Sequence, residues 1–313
     1  MVTWNCRGLN TAEPYLSDLA ATNDIIIIQE HWLWLHNLCK LDRLLEGFSA
    51  HGCSDKRLTE NCDPSLNKGY GGIAILWRRH LPVMPITAIQ SDRIIGIQLS
   101  LNDSTSLAII GVYLPSSNHS IPEFSDYLVD LESIISFLQT SGPVLIMGDF
   151  NAHLGNLGCE RNHDITYQVG KLLFDVIDRC GLYVASQSIL ACGEKYTYAQ
   201  GLYTTTVDYC LIDSGYAHLI NSCTTLPPMA LNLSDHLPIS ISLDTSTGPI
   251  FESYNLNKLN WQLAVEKGYA KDYSVSVSAF LSEITARSVP RTSNLWIEKS
   301  LKYAVFSVIQ LKS

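Results

Sequence analysis

The chain has 313 residues, 46% of them hydrophobic, and carries 21 Lys and Arg against 30 Asp and Glu, a formal net charge of −9. That much apolar material supports one large core or two small ones, which excludes a disordered tail. The acidic balance argues against a broadly basic nucleic-acid-binding surface, so any phosphate contact must be locally organised; carboxylates that hold a cation would themselves add to the negative tally.

The nine cysteines are odd in number and scattered, with no C-x-x-C pair to suggest a zinc or redox centre, and they read as reduced, mostly buried thiols. No basic segment leading into an apolar stretch opens the chain, and no apolar run approaches the ~20 residues of a membrane span. A nuclear or cytoplasmic location with no membrane partner is the expectation.

In chain order, Val2-Thr3-Trp4 forms a first short apolar run closed by Asn5. A helical stretch with Pro14 near its start, where a missing N–H costs little, leads into the run Ile25 to Ile28, closed by Gln29-Glu30. Residues 52–68, polar and rich in Gly and Asn, read as a surface loop. Strands are predicted over 72–77, 94–101 and 107–114. The spacing of Phe124, Tyr127, Leu128, Leu131, Ile134, Ile135 and Leu138 predicts a helix over 123–140 with one buried stripe. A strand over 144–147 follows, then a helix over 170–180 with Gly181 as its C-cap. Residues 196–207 read as a β-hairpin with Gly201 at the tip, and further strands are predicted over 206–212 and 237–243. Short Val- and Ile-rich runs alternating with helical patterns indicate an α/β domain whose sheets are covered by helices. Asp244-Thr-Ser-Thr-Gly-Pro249 reads as a linker. The expected division is therefore a domain over 1–244 and, over 245–313, a linker with a partly helical, partly irregular appendage.

The chemistry gathers where strands end. Asn5 and Glu30 close the first two apolar runs, Tyr113 closes a third, Asp149 and Asn151 a fourth; Asp208 lies within the run 206–212, and Asp235-His236 precede the last. Singly, each has an ordinary explanation: turn and capping chemistry for Asp149-Phe150-Asn151, a half-buried strand aromatic for Tyr113, a satisfied surface or core histidine for His236. Together they supply oxygen ligands for Mg²⁺ and a candidate acid/base, which is what phosphodiester hydrolysis requires.

These strings also resemble a known family. Thr3-Trp4-Asn5, Ile28-Gln29-Glu30, Gly111-Val112-Tyr113-Leu114-Pro115, Gly148-Asp149-Phe150-Asn151, Val207-Asp208-Tyr209 and Ser234-Asp235-His236-Leu237-Pro238 resemble, in order, the motifs of the endonuclease/exonuclease/phosphatase superfamily. Within it, Trp4-Asn5 with Arg7-Gly8-Leu9-Asn10, Gln29-Glu30-His31-Trp32-Leu33, Gly69-Tyr70-Gly71-Gly72 and Gly148 to His153 are most similar to the endonucleases of LINE-type, non-LTR retrotransposons. The resemblance implies a four-layered sandwich of two mixed β-sheets flanked by helices, and an Mg²⁺-dependent DNA-nicking endonuclease, with Mn²⁺ as a substitute ion, that leaves 3′-OH and 5′-phosphate ends. It implies that Glu30, helped by Asn5 and Asp235, holds the ion. Asp149 would orient and deprotonate water, Asn151 would hold the water or the phosphate, and Asp208 would hold His236, which stabilises phosphoryl charge. Tyr113 would donate to the phosphate, with Thr197 and Ser234 as further substrate contacts.

Arg7 stands where repair-type abasic endonucleases carry an acidic or amide residue, which disfavours that substrate. With only three residues before Trp4 the first strand is expected to be clipped, and with no reverse transcriptase following, a fragment, truncated copy or reused domain is expected. The competing readings are another phosphoesterase of the same fold, acting on abasic DNA, phosphoinositides or sphingomyelin, and a catalytically idle relic.

Overall fold

The structure, a computed structural model, describes residues 1–56, 69–102, 105–116, 120–155, 165–188 and 190–244. The expected linker and appendage over 245–313, and residues 57–68 of the expected surface loop, lie outside the described residues.

The elements run β1 (Val2–Asn5), α1 (Leu9–Thr22), β2 (Ile25–Gln29), β3 (Phe48–Cys53), β4 (Ile73–Arg78), β5 (Val83–Pro85), β6 (Ile94–Ser100) and β7 (Ser106–Tyr113). They continue with α2 (Ile121–Gln139), β8 (Val144–Asp149), α3 (Ile165–Arg179), β9 (Leu182–Val184), β10 (Ala191–Gly193), β11 (Tyr198–Gln200), β12 (Tyr203–Thr205), β13 (Asp208–Asp213), β14 (Ile220–Thr225) and β15 (Ile239–Leu243). One sheet has the order β10-β14-β15-β1-β2-β4-β3, a second the order β5-β6-β7-β8-β13-β9, and β11-β12 form a separate hairpin. Both large sheets are mixed: β1 and β2 are parallel, as are β7 and β8, while β2 with β4 and β8 with β13 are antiparallel.

Successive strand residues point to opposite faces, and the central strands are apolar on both because both faces are covered. Ile25 and Ile27 of β2, with Ile73 and Ile75 of β4, meet Ile97, Ile109, Leu145 and Met147 in the core between the sheets. Ile26 and Ile28 face the other way, onto Tyr15, Leu16 and Leu19 of α1. Val144 and Ile146 of β8 likewise turn to Phe124, Leu128 and Leu131 of α2 and Leu173 of α3. The layers are therefore helix, sheet, sheet, helix.

The differences from the sequence reading are local. Pro14 lies inside α1, which begins five residues earlier at Leu9. Helix α2 starts two residues sooner than predicted because the Ser120 hydroxyl accepts a hydrogen bond from Glu123 N (3.3 Å) and Pro122 fits the first turn. Residues 52 and 53 belong to β3 rather than to the surface loop. The Met1 amino group donates to the Ile241 carbonyl at 2.8 Å and extends the pairing with β15, and β1 is packed inside the sheet between β2 and β15. Asn5, at the end of β1, is buried.

Candidate active site

Register brings the polar strand ends together. Tyr113 of β7 and Asp208 of β13 are both partners of Asp149 on β8, and Asn5 of β1 is the partner of Gln29 on β2. Asp149 and Asp208 share the face of Leu145 and Met147, so they close one end of the core between the sheets. Two carboxylates directly opposite on neighbouring strands repel each other. Nothing about folding favours that pair.

Every described non-glycine residue with positive φ stands at this end: Arg7 (49°), Glu30 (56°), Trp32 (58°) and Asn151 (47°). Such conformations cost on the order of 1–3 kcal/mol each and persist where surroundings impose them. Glycine makes room twice. Gly148 has φ 152° and an added Cβ would strike the Val112 carbonyl; Gly72 has φ 84° and an added Cβ would strike the His31 ring. Gly72 O in turn accepts Glu30 N at 2.8 Å and so fixes the strained residue.

The side chains form two linked groups. In the first, the buried Asn5 amide donates to Glu30 Oε1 and to Asp149 Oδ2, both at 2.9 Å. Glu30 also accepts from the Tyr113 hydroxyl at Oε1 and from Trp32 Nε1 at Oε2, each at 3.2 Å. In the second, His236 Nδ1 lies 2.9 Å from Asp208 Oδ2, and its Nε2 lies 3.9 Å from Asp149 Oδ2. Asn151 N donates to Asp149 Oδ1 at 2.9 Å, and its side-chain amide to Leu114 O (2.9 Å) and Asp149 Oδ2 (3.3 Å). Asp149 thus joins the two groups.

Burial and then the neighbouring Asp208 push the Asp149 carboxyl above its ordinary range, against the pull of His236 and the donors Asn5 and Asn151. For His236, burial works against the charged ring, but the charge and hydrogen bond of Asp208, with Asp149 and Asp235 behind them, outweigh it and hold the imidazole protonated well above its usual range. Burial, followed by the charges of Glu30 and Asp149, raises the Tyr113 phenol and keeps it a donor.

Of the residues singled out in the sequence, Asn5, Glu30, Tyr113, Asp149, Asn151, Asp208 and His236 converge. Asp235 is ion-paired with Arg7, Nη1 to Oδ2 at 2.5 Å. Thr197 and Ser234 turn their hydroxyls to backbone: Thr197 Oγ1 accepts from Val207 N and Asp208 N (both 3.1 Å), and Ser234 Oγ donates to Asn5 O (2.7 Å) and accepts from His236 N (3.1 Å). They set the positions of Asp208 and His236. Trp32 and a buried pair, Arg93 with Asp55 (3.4 Å), escaped the sequence reading. The Arg93 guanidinium lies over the Tyr113 ring at 4.9 Å and donates to its carbonyl at 3.3 Å, which fixes that tyrosine. Trp32 sits in the string Gln29 to Leu33, but its contact with Glu30 depends on a backbone turn that no spacing shows.

Oxygen donors dominate, which suits a hard divalent cation and not a thiophilic one. Glu30 and Asp149 converge on Asn5, and the ligand atoms of Asp149, Asp208 and His236 also lie within 4.8 Å of one another. The second set includes the imidazole nitrogen of His236, whereas Glu30 and Asn5 offer oxygen alone, so their side fits a hard cation better.

Two mixed sheets stacked between helix layers, with this acidic floor at one end, place the chain in the class of four-layered α/β sandwiches. Residues 2–236 match the Endonuclease/Exonuclease/phosphatase family, and the chain belongs to it, a family of nucleases and phosphatases. No curated protein matches the sequence. Among solved structures the chain is similar to the 3′ phosphatase NExo from Neisseria bound to a product DNA hairpin, at 20% identity and TM-score 0.58, covering 78% of this chain and 98% of that one. It is similar to the endonuclease domain of TRAS1, a telomere-specific non-LTR retrotransposon, at 16% identity and TM-score 0.55, covering 77% and 97%. It is also similar to the AP endonuclease LMAP from Leishmania major, at 16% identity and TM-score 0.59, covering 77% and 86%. At these identities the likeness is one of fold. Among the described residues no helix is long and apolar enough to cross a membrane.

Proposed function

We propose that this protein is an Mg²⁺-dependent phosphodiesterase, with Mn²⁺ as a substitute ion, that nicks DNA as the endonuclease of a non-LTR retrotransposon or a reused copy of one. The observation that carries the reading is Asp149: a buried carboxylate held by Asn5 and Asn151, 3.9 Å from a histidine that Asp208 pins from behind. The structural likeness to the TRAS1 endonuclease domain supports the retrotransposon assignment, and the DNA hairpin held by NExo supports the substrate.

A cation held by Glu30 and Asn5 would supply positive charge against a non-bridging phosphate oxygen. The chain's own groups do the rest. Asp149 orients water for in-line attack on phosphorus and takes its proton; as the new P–O bond forms, the bond to the 3′ oxygen breaks and that oxygen leaves, taking a proton from solvent to become the 3′-OH, with a 5′-phosphate opposite, and Asp149 returns its proton to solvent. Protonated His236 and the Tyr113 hydroxyl donate to the phosphoryl oxygens where negative charge accumulates, and Asp208 keeps the imidazole charged and aimed. Asn151 holds Asp149 in place from the next loop.

The test is conversion of supercoiled plasmid to open circle. The wild-type protein should nick with Mg²⁺ or Mn²⁺ and stop in EDTA. Absence of nicking with either ion, or equal nicking in EDTA, contradicts the reading.

A further inference from the structure

Arg7 stands beside the acidic floor, paired with Asp235, the residue before His236. Arg7 follows β1 by two residues with φ 49°. Its N–H donates to Asn5 Oδ1 at 3.2 Å, and its guanidinium Nη1 lies 2.5 Å from Asp235 Oδ2, across 228 residues of sequence. The Arg7 side chain is 51% exposed, while that of Asp235 is 13% exposed. Asp235 directly precedes His236, whose ring packs edge-on to Tyr198 at 5.0 Å. The guanidinium therefore lies at the open mouth of the site, on the His236 side. Among the described residues, no other Lys or Arg pairs with a carboxylate of the site.

Stability does not account for this arrangement. A half-exposed ion pair contributes about 0–1 kcal/mol, whereas a left-handed arginine costs on the order of 1–3 kcal/mol. A guanidinium carries several N–H donors in a rigid fork, and the bond to Asp235 leaves others directed to solvent. A charged, half-exposed fork, anchored by one carboxylate beside a phosphate-ester site, matches a phosphate oxygen in charge and geometry.

We propose that Arg7 is a substrate-binding residue: anchored by Asp235, its guanidinium grips a backbone phosphate of the DNA on the His236 side of the cleft, independently of the divalent cation. This rests on the reading of the protein as a DNA-nicking enzyme. It also gives Asp235 a role, that of orienting Arg7. It accounts for how a chain of net charge −9 can hold a polyanion with few cations, each of them placed.

Binding to a short DNA duplex in EDTA, followed by fluorescence anisotropy across a salt series, tests this without any turnover. Arg7→Ala should weaken binding roughly tenfold at 0.1 M salt and make the slope of log K against log salt shallower by about one, the signature of one lost phosphate contact. Arg7→Lys, which keeps the charge and loses the fork, should keep the wild-type slope with a smaller loss of affinity. Asp235→Asn should also keep the slope, since the guanidinium remains charged. Arg7→Ala that matches wild type in affinity and slope overturns the proposal, and if wild type still nicks plasmid the enzymatic reading stands. Wild type that neither binds nor nicks DNA overturns both. Thermal unfolding of each variant separates a folding defect from lost contact, and Arg7→Lys carries the test if Arg7→Ala does not fold.

Discussion

The deep floor of the site and its rim are built on opposite terms. Asp149, Asp208 and His236 are buried, and their side chains are bonded to one another or to residues next to them on the strand ends. The rim beside them exposes apolar groups: Leu202 at the tip of the β11–β12 hairpin is fully exposed and Leu233 in the loop before Asp235 is 70% exposed. The two are joined by single hydrogen bonds, Ala199 N to Asp235 O at 2.9 Å and Leu237 N to Thr197 O at 2.7 Å. Chemistry that needs fixed distances sits on the ends of core strands, where moving one group disturbs a packed sheet. The rim hairpin closes on a two-residue turn, Gly201-Leu202, that can change without cost to the core.

The sharpest way to break this contrast is on the floor. His236→Ala removes a donor to the phosphoryl oxygens and should lower the nicking rate by on the order of 10² to 10³. Asp208→Asn keeps the shape but removes the charge behind the imidazole, and should give a smaller loss. Because the two act through one ring, the double variant should be little worse than His236→Ala alone; fully additive losses in single-turnover rates would separate them. Glu30→Gln should lose less at saturating Mg²⁺ than at low Mg²⁺, since it keeps one oxygen and loses a charge. A defect that raised Mg²⁺ leaves unchanged would remove Glu30 from the cation side.

A stability prediction concerns the residue next to Glu30. His31 is buried and uncharged, with Leu33 N donating to its Nδ1 at 3.0 Å, and burial depresses its pKa from 6.5 to about 4. The unfolded imidazole takes a proton near pH 6.5 and the folded one only near 4. Stability is therefore whole above pH 6.5 and is lost as pH falls from there to about 4, by on the order of 3 kcal/mol. Urea unfolding of wild type and His31→Gln across that range should show a flatter pH dependence in the variant; equal slopes would contradict it. The smallest expected effect on rate is at the rim. Replacing residues 199–203 with Gly-Ser should shift the distribution of nick positions, read by sequencing, and leave the rate of nicking within a few-fold, if the hairpin reads DNA shape and flexibility. An unchanged map counts against a role for the hairpin.

The floor was legible in the sequence and much of what holds it was not. Central strands declare themselves because both faces are buried, as in Ile25 to Ile28, and the polar residue that ends each run marks the site. β14 (Ile220–Thr225) has no such run; Asn221 and Ser222 are exposed, and it is a strand because β15 and β10 pair with it. The hairpin was readable from Gly201, which takes φ 61°. Asn151 lies in a stretch that reads as turn chemistry and is of a type that tolerates positive φ, but the left-handed turns at Arg7, Glu30 and Trp32 had no such marker. Thr197 and Ser234 showed as polar residues near the motifs, but only the folded backbone directs their hydroxyls to Asp208 N and His236 N. Arg93 and Asp55 lie 38 residues apart and no spacing rule joins them.

The central claim is that one buried carboxylate, Asp149, links the cation side to the histidine side and acts on a phosphodiester. Nicking of supercoiled plasmid by Asp149→Ala, with its fold checked by circular dichroism and Mg²⁺ at saturation, tests it most directly. The account predicts a rate at least on the order of 10² below wild type. Nicking at the wild-type rate by a well-folded Asp149→Ala would contradict it.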